Sequence, residues 1–219
     1  MRTLQPLIDR AAFHNEDSRQ RAIEKYEDRV NPIMLGVQFG FFLDCFVFRV
    51  PTSFQGRIYS MVSEIILPLL KQGFLLRGGI AAGKLVHRDN ILFGPAMIRA
   101  YSIERREAKF ARVLVDPSAL TAVERQEDDA LIQDHLGNWV VDPFPWVATT
   151  NESRMQDMLH QLFDPTAPIR VIDGKVQEYE GVPRLRDIWR FQAQVCALSL
   201  QKYGPPAGDW VKALRALAA

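Results

Sequence analysis

An α+β fold, with a mostly antiparallel sheet covered by helices, is what this sequence predicts, and three observations predict it. Short β-branched and aromatic runs alternate with stretches of helical periodicity. One apolar run, VQFGFFLDCFVFRVP, reads as two strands folded back on each other. No internal repeat or low-complexity linker interrupts the succession. The hairpin excludes a purely parallel, doubly wound sheet, whose strands would each need a long crossover.

The elements follow in order. Residues 3–8 form a short apolar run that ends at Asp9 and reads as a first strand. Asn15, Glu16, Asp17 and Ser18 supply capping groups and acids for a helix over 18–30, which Pro32 stops. The hairpin then turns at Leu43, Asp44 and Cys45, which places a carboxylate in the middle of an apolar segment. Residues 54–72 carry Ile58, Met61, Val62, Ile65, Ile66, Leu69 and Leu70 at helical spacing. Gly73 follows as the C-terminal stop, and Pro68 lies late inside the pattern. Residues 73–86 are strand-like, with a bend at Gly83. Phe93, Gly94 and Pro95 lead into a helix over 96–108, with proline in its first turn. A β-branched strand over 111–115 ends at Asp116 and Pro117. Two short strands are expected near Leu131 and over 139–141, then helices over 152–163, 183–203 and 208–217. The expected division is a core over 1–145 and a helical extension over 146–219 packed on it.

Composition narrows the function classes. The chain has 219 residues, 47% hydrophobic and 24% charged, the mix of an ordinary globular protein. A net charge of +1 gives no field for bulk nucleic-acid binding. Two cysteines, Cys45 and Cys196, are too few for a disulfide framework or a cysteine zinc site and suit a reducing cytoplasm. No apolar run reaches the roughly 18 residues of a membrane span, and the N-terminus lacks the apolar stretch of a secretory leader. The expectation is a cytoplasmic protein with no membrane or nucleic-acid partner.

Chemistry points to two carboxylates and an arginine. Burying Asp44 among FFLDCFVF is costly unless it is paired, hydrogen-bonded or metal-bound, although it also reads as an ordinary turn aspartate. Asp9 ends the first strand, and also reads as an N-cap for a turn beginning at Arg10. If that strand lies beside the hairpin, the two side chains converge, and two hard carboxylates suit Mg²⁺ or Mn²⁺. Arg77 precedes Gly78 and Gly79, where a guanidinium can grip phosphate, or form a surface ion pair on an edge strand. The glycines of this stretch are expected to mark a bulge or a close approach by another backbone or a ligand. Backbone N–H groups over 10–13 can face phosphate oxygens where a helix begins. The four histidines show no ligand spacing, and none is assigned to a metal. Trp139, Trp146, Trp189 and Trp210 read as core anchors, and Arg105 and Arg106 as a solvated face.

The succession of Asp9, Phe13, Asp44, RGGIAAGKL and FGPAMIRAYSIE resembles the class III nucleotidyl cyclases. More narrowly it is similar to the bacterial Pycsar uridylate and cytidylate cyclases of anti-phage defence. The likeness covers roughly residues 3–142 and is most specific over 73–116. It implies a ferredoxin-like catalytic core, with helices on one face of the sheet, and a homodimer with active sites at the subunit interface. It implies that Asp9 and Asp44 hold two Mn²⁺ or Mg²⁺ ions with the carbonyl of Arg10. Arg10, Ala11, Ala12 and Phe13 become the triphosphate loop, and Arg77, beside Gly78, contacts the triphosphate. The loop here lacks the glycine usual in the family. The positions that carry an asparagine and an arginine in purine cyclases fall on Ile98 and Ser102. The base-reading positions fall at Gly40 and Ile91, which offer no polar contact to a purine edge. The implied reaction is conversion of UTP to 3′,5′-cyclic UMP and pyrophosphate. CTP is the alternative substrate, and a nucleotide-binding module without turnover is the alternative activity.

Overall fold

The computed structural model describes residues 38–42, 45–51, 56–88, 91–121, 130–145 and 152–219. The strand expected over 3–8, the helix over 18–30, and Asp9, Arg10, Ala11, Ala12, Phe13 and Asp44 lie outside the described residues.

The aromatic run makes a hairpin. Strand β1 (Gln38–Phe42) pairs antiparallel with β2 (Cys45–Arg49). Phe42 stands opposite Cys45 at one end of the register. Helix α1 (Gly56–Lys71) follows and keeps Pro68 in its last turn. It stops because Gly73 turns to a φ of +81°. There the Gly73 N–H reaches the Leu70 carbonyl at 3.0 Å and the Phe74 N–H reaches Leu69 at 3.0 Å, closing the orphan carbonyls of the helix end.

The stretch after Gly73 is mostly without regular secondary structure. It yields only the short strand β3 (Gly78–Ile80), and, beyond the bend at Gly83, β4 (Val86–Arg88). Strand β4 forms its own hairpin with β5 (Ile91–Phe93). Helix α2 (Pro95–Ser102) has its proline at the start, as the sequence predicts. The helical pattern expected to run on to 108 changes pitch at Ile103 and continues as a π-helical turn, Ile103–Glu107. Strand β6 (Val113–Val115) leads into the short helix α3 (Pro117–Thr121), and β7 (Leu131–Gln133) and β8 (Trp139–Val141) complete a sheet.

That sheet is mixed, in the order β3-β6-β8-β7. Strands β3 and β6 run parallel, and the other two pairings are antiparallel. Its faces carry different cores. Val113 and Val115 pack with Tyr59 and Val62 of α1 and with Ile80. Leu114, pointing the opposite way, packs with Ile103, Ala108 and Val140. Helices therefore cover both faces, not one as expected, because β6 is apolar on both sides and needs both covered. Among the described residues the β1–β2 hairpin forms a separate two-stranded sheet, where a ferredoxin-like core would draw it into the main one.

Among the described residues the C-terminal region holds four α-helices where three helices were expected. They are α4 (Glu152–Leu162), α5 (Thr166–Glu178), α6 (Pro183–Gln201) and α7 (Gly208–Ala218). Helix α5 escapes sequence reading because Pro168 and Gly174 interrupt its pattern, yet proline is tolerated in a first turn. The four share a core with α1, in which Leu67, Leu70 and Phe144 meet Leu159, Ile172, Trp189, Leu200 and Leu214. Trp189, Phe191 and Val195 of α6 are buried within the chain. Among the described residues no helix is long and apolar enough to cross a membrane.

Candidate functional site

The two halves of the RGGI and FGPA motifs are clasped together. A Cβ on Gly79 would stand 2.6 Å from the Ala100 carbonyl oxygen and 2.7 Å from the Ile103 Cβ. The glycine therefore admits the end of α2 and its π turn against β3. The close approach at Gly79 is thus by another part of this chain's own backbone, at the end of α2. A Cβ on Gly94 would stand 2.5 Å from the Lys84 carbonyl oxygen, so a second glycine lets α2 begin against the 83–85 bend. The Ala96 N–H donates to that same carbonyl at 3.3 Å.

Across this contact lies an ion pair that joins the ends of the two motifs. Arg77 Nε donates to Glu104 Oε1 at 2.7 Å, and Arg77 Nη2 pairs with the same oxygen. The Arg77 side chain is 51% exposed and Glu104 25%. The surface ion pair that was one reading of Arg77 is thus present. The edge-strand position is present too, since Arg77 immediately precedes β3 at the margin of the sheet.

A second charged group lies at the carboxyl ends of β3 and β6. Arg99, on α2, donates through Nε to Asp116 at 2.6 Å and through Nη1 to Glu107 at 2.5 Å. Asp116 also accepts from the Ser118 N–H at 2.9 Å, capping α3. Burial works to raise the Asp116 pKa, but the Ser118 and Arg99 donors outweigh it and hold the carboxyl below its usual range. Ser118 Oγ in turn lies 3.3 Å from the Ala82 nitrogen, tying α3 to the coil after β3.

The other anticipated positions are dispersed. Gly78 lies in β3 opposite Val113, and a Cβ there would make only ordinary contacts at 3.5 Å. Gly40 lies in β1 opposite Val47, in the separate hairpin. Ile98 is 71% exposed on α2, Ile91 is exposed on β5, and Ser102 is half-buried. Val86, Phe93 and Tyr101 are exposed beside them in sequence, so β4, β5 and α2 all carry solvated apolar side chains. The anticipated metal and triphosphate-loop positions, Asp9 to Phe13 and Asp44, lie outside the described residues. Among the described residues no group of three or more His, Cys, Asp or Glu side chains is arranged to hold a metal ion. The acids nearest Arg77 and Arg99 already have guanidinium partners.

Arg99, Glu104, Glu107 and Asp116 are the residues that sequence reasoning passed over. No local spacing announces them, because the pairs Arg77–Glu104 and Arg99–Asp116 join residues far apart along the chain. Compared with protein-family models, with curated proteins and with solved structures, the chain matches none.

Proposed function

We propose that the chain is a pyrimidine nucleotide cyclase that converts UTP to 3′,5′-cyclic UMP and pyrophosphate in anti-phage signalling, with CTP as the alternative substrate. The observation that carries this reading is the Arg77–Glu104 pair, which brings RGGI and AYSIE to one place with a half-exposed guanidinium between them. Such a cation is suited to triphosphate oxygens, which a planar fork of donors grips in pairs. The 3′-oxygen attacks the α-phosphorus, the bond to the bridging oxygen of the β-phosphate breaks, and pyrophosphate leaves as the 3′-proton is given up. For this chain's own groups the task is positioning and charge neutralisation rather than covalent chemistry. Two Mn²⁺ or Mg²⁺ ions, held by Asp9, Asp44 and the Arg10 carbonyl, would supply charge neutralisation and a lowered pKa for the 3′-hydroxyl. Arg10, Ala11, Ala12 and Phe13 complete the triphosphate loop in this reading. Gly40 and Ile91 leave the base without purine-reading contacts, and Ile98 and Ser102 replace the polar pair of the purine cyclases. The exposed Val86, Ile91, Phe93, Ile98 and Tyr101 support assembly as a homodimer.

The test is to incubate the purified protein with each of the four nucleoside triphosphates and Mn²⁺ and to identify products by mass spectrometry. Cyclic UMP and pyrophosphate are expected, and no cyclic nucleotide from any triphosphate would overturn the proposal. Asp44→Ala should lower turnover by at least about a hundredfold while the melting temperature stays within a few degrees, since it removes half of the metal grip. Parental turnover in that variant would sink the metal assignment. The exposed Ile98, where a purine cyclase has a polar residue, favours a second reading, a nucleotide-binding module without turnover. A triphosphate-dependent rise in melting temperature without pyrophosphate release would select it.

A further inference from the structure

We infer that Glu104 is the positioning residue for Arg77: it holds one edge of the guanidinium so that the other edge is presented to the phosphates of a nucleoside triphosphate. This deepens the cyclase reading and rests on it. The geometry is one-sided. A single carboxylate oxygen, Oε1, receives both Nε and Nη2 of Arg77. That contact occupies the Nε–Nη2 edge and leaves Nη1 with no hydrogen-bond partner among the described residues. The guanidinium is planar, so fixing one edge fixes where the other points. With half its surface exposed, the side chain is open to a ligand from solvent.

The carboxylate is itself held by a rigid support. Glu104 follows Ile103, which is 1% exposed and packs against Leu114 and Val140 of the sheet. The π turn places the two side by side and closes with the Ala108 N–H on the Ile103 carbonyl at 2.8 Å. Gly79 allows this turn to sit against the strand that Arg77 opens. Arg77 and its orienting acid therefore share one rigid unit, as preorganised phosphate contacts require. The same acid could instead compete with phosphate for the guanidinium. The two roles predict opposite signs, because removing a competing negative charge would tighten triphosphate binding, whereas removing an orienting contact weakens it.

The test compares the wild type with Glu104→Gln and Arg77→Gln, singly and together. KM and kcat are measured for UTP, and affinity by calorimetry for UTP and UMP. Glu104→Gln is expected to raise the KM for UTP roughly tenfold, as the loss of one oriented charge-assisted contact would. The kcat should hold within about twofold and UMP affinity should not change, because UMP lacks the outer phosphates. In the Arg77→Gln background, Glu104→Gln should add no further change. An unchanged or lowered KM, or equal losses for UMP and UTP, would overturn the inference. If Glu104→Gln does not fold, Arg77→Lys replaces it: the lysine keeps the charge but not the planar fork, and the same rise in KM with UMP affinity intact is expected. Parental KM in Arg77→Lys would overturn orientation as the reason. Failure of the cyclase reading shows instead in the wild type, as absence of any cyclic product, and it takes this inference with it.

Discussion

Gly79 shows how much a single missing methyl group decides. The end of α2 reaches β3 only because no side chain stands there, and the atoms that would collide include a backbone carbonyl, which cannot rotate away. Gly79→Ala should therefore destabilise the protein by about 1–3 kcal/mol, the usual range for overpacking a fixed site. Gly78→Ala, facing Val113 at ordinary contact distance, should shift the urea midpoint far less. Equal midpoints for the two variants would show that α2 is not seated against β3. The sequence pointed to a close approach in this stretch, which Gly79 has and Gly78 does not. It could not show what approaches, because Ala100 and Ile103 are brought in by a helix whose path depends on the whole sheet. Nor could it pair Arg77 with Glu104, which are separated by the β4–β5 hairpin and all of α2.

Between elements, the contact that matters most joins the end of β8 to α6. Asp142, fully buried, accepts from the Phe144 N–H at 2.8 Å, from the Ser199 hydroxyl and from Lys202 Nζ. Ser63 on α1 donates to its backbone carbonyl at 2.5 Å. Burial raises the Asp142 pKa, and Lys202, Ser199 and the Phe144 N–H work against that rise. Lys202→Met would leave a buried carboxylate without its cation, a loss of about 3–5 kcal/mol. The sign with pH follows from linkage. A carboxyl whose folded pKa lies above its unfolded value contributes stability that is complete at low pH and lost as pH rises through the folded value. Removing Lys202 lifts that pKa further, so the deficit of the variant should be largest at neutral pH and shrink on acidification. Melting temperatures of both proteins across the acid range check this, and a deficit that widens on acidification would refute it. Elements with strong local punctuation were readable in advance, among them the β1–β2 hairpin, the end of α1 at Gly73 and the start of α2 at Pro95. Helix α5 was not, because Pro168 and Gly174 mimic a loop, and its helicity comes from packing Ile172 into the core.

At the scale of the whole molecule, α1 and the segment just after β8 share an interior with the C-terminal helices. Leu67 and Leu70 of α1 and Phe144 after β8 are buried by residues of α4 to α7. Ending the chain at residue 145 would expose these side chains and strip Asp142 of Ser199 and Lys202 together. Such a fragment should show no cooperative thermal transition and should bind hydrophobic dyes. A sharp transition in the fragment would mean that the sheet and its covering helices suffice by themselves. The α+β class was legible from alternation alone, since that depends on local periodicity. The covering of both sheet faces was not, since it depends on which side of β6 each later helix returns to.

The link between Asp142 and α6 also sets an order for synthesis. A nascent chain that has emerged only as far as β8 carries a carboxylate with neither its hydroxyl nor its ammonium partner, because both lie on a segment still to be translated. Early, partial collapse of the first two thirds is thereby kept reversible until α6 arrives, and ribosome-bound intermediates should stay open to protease until then.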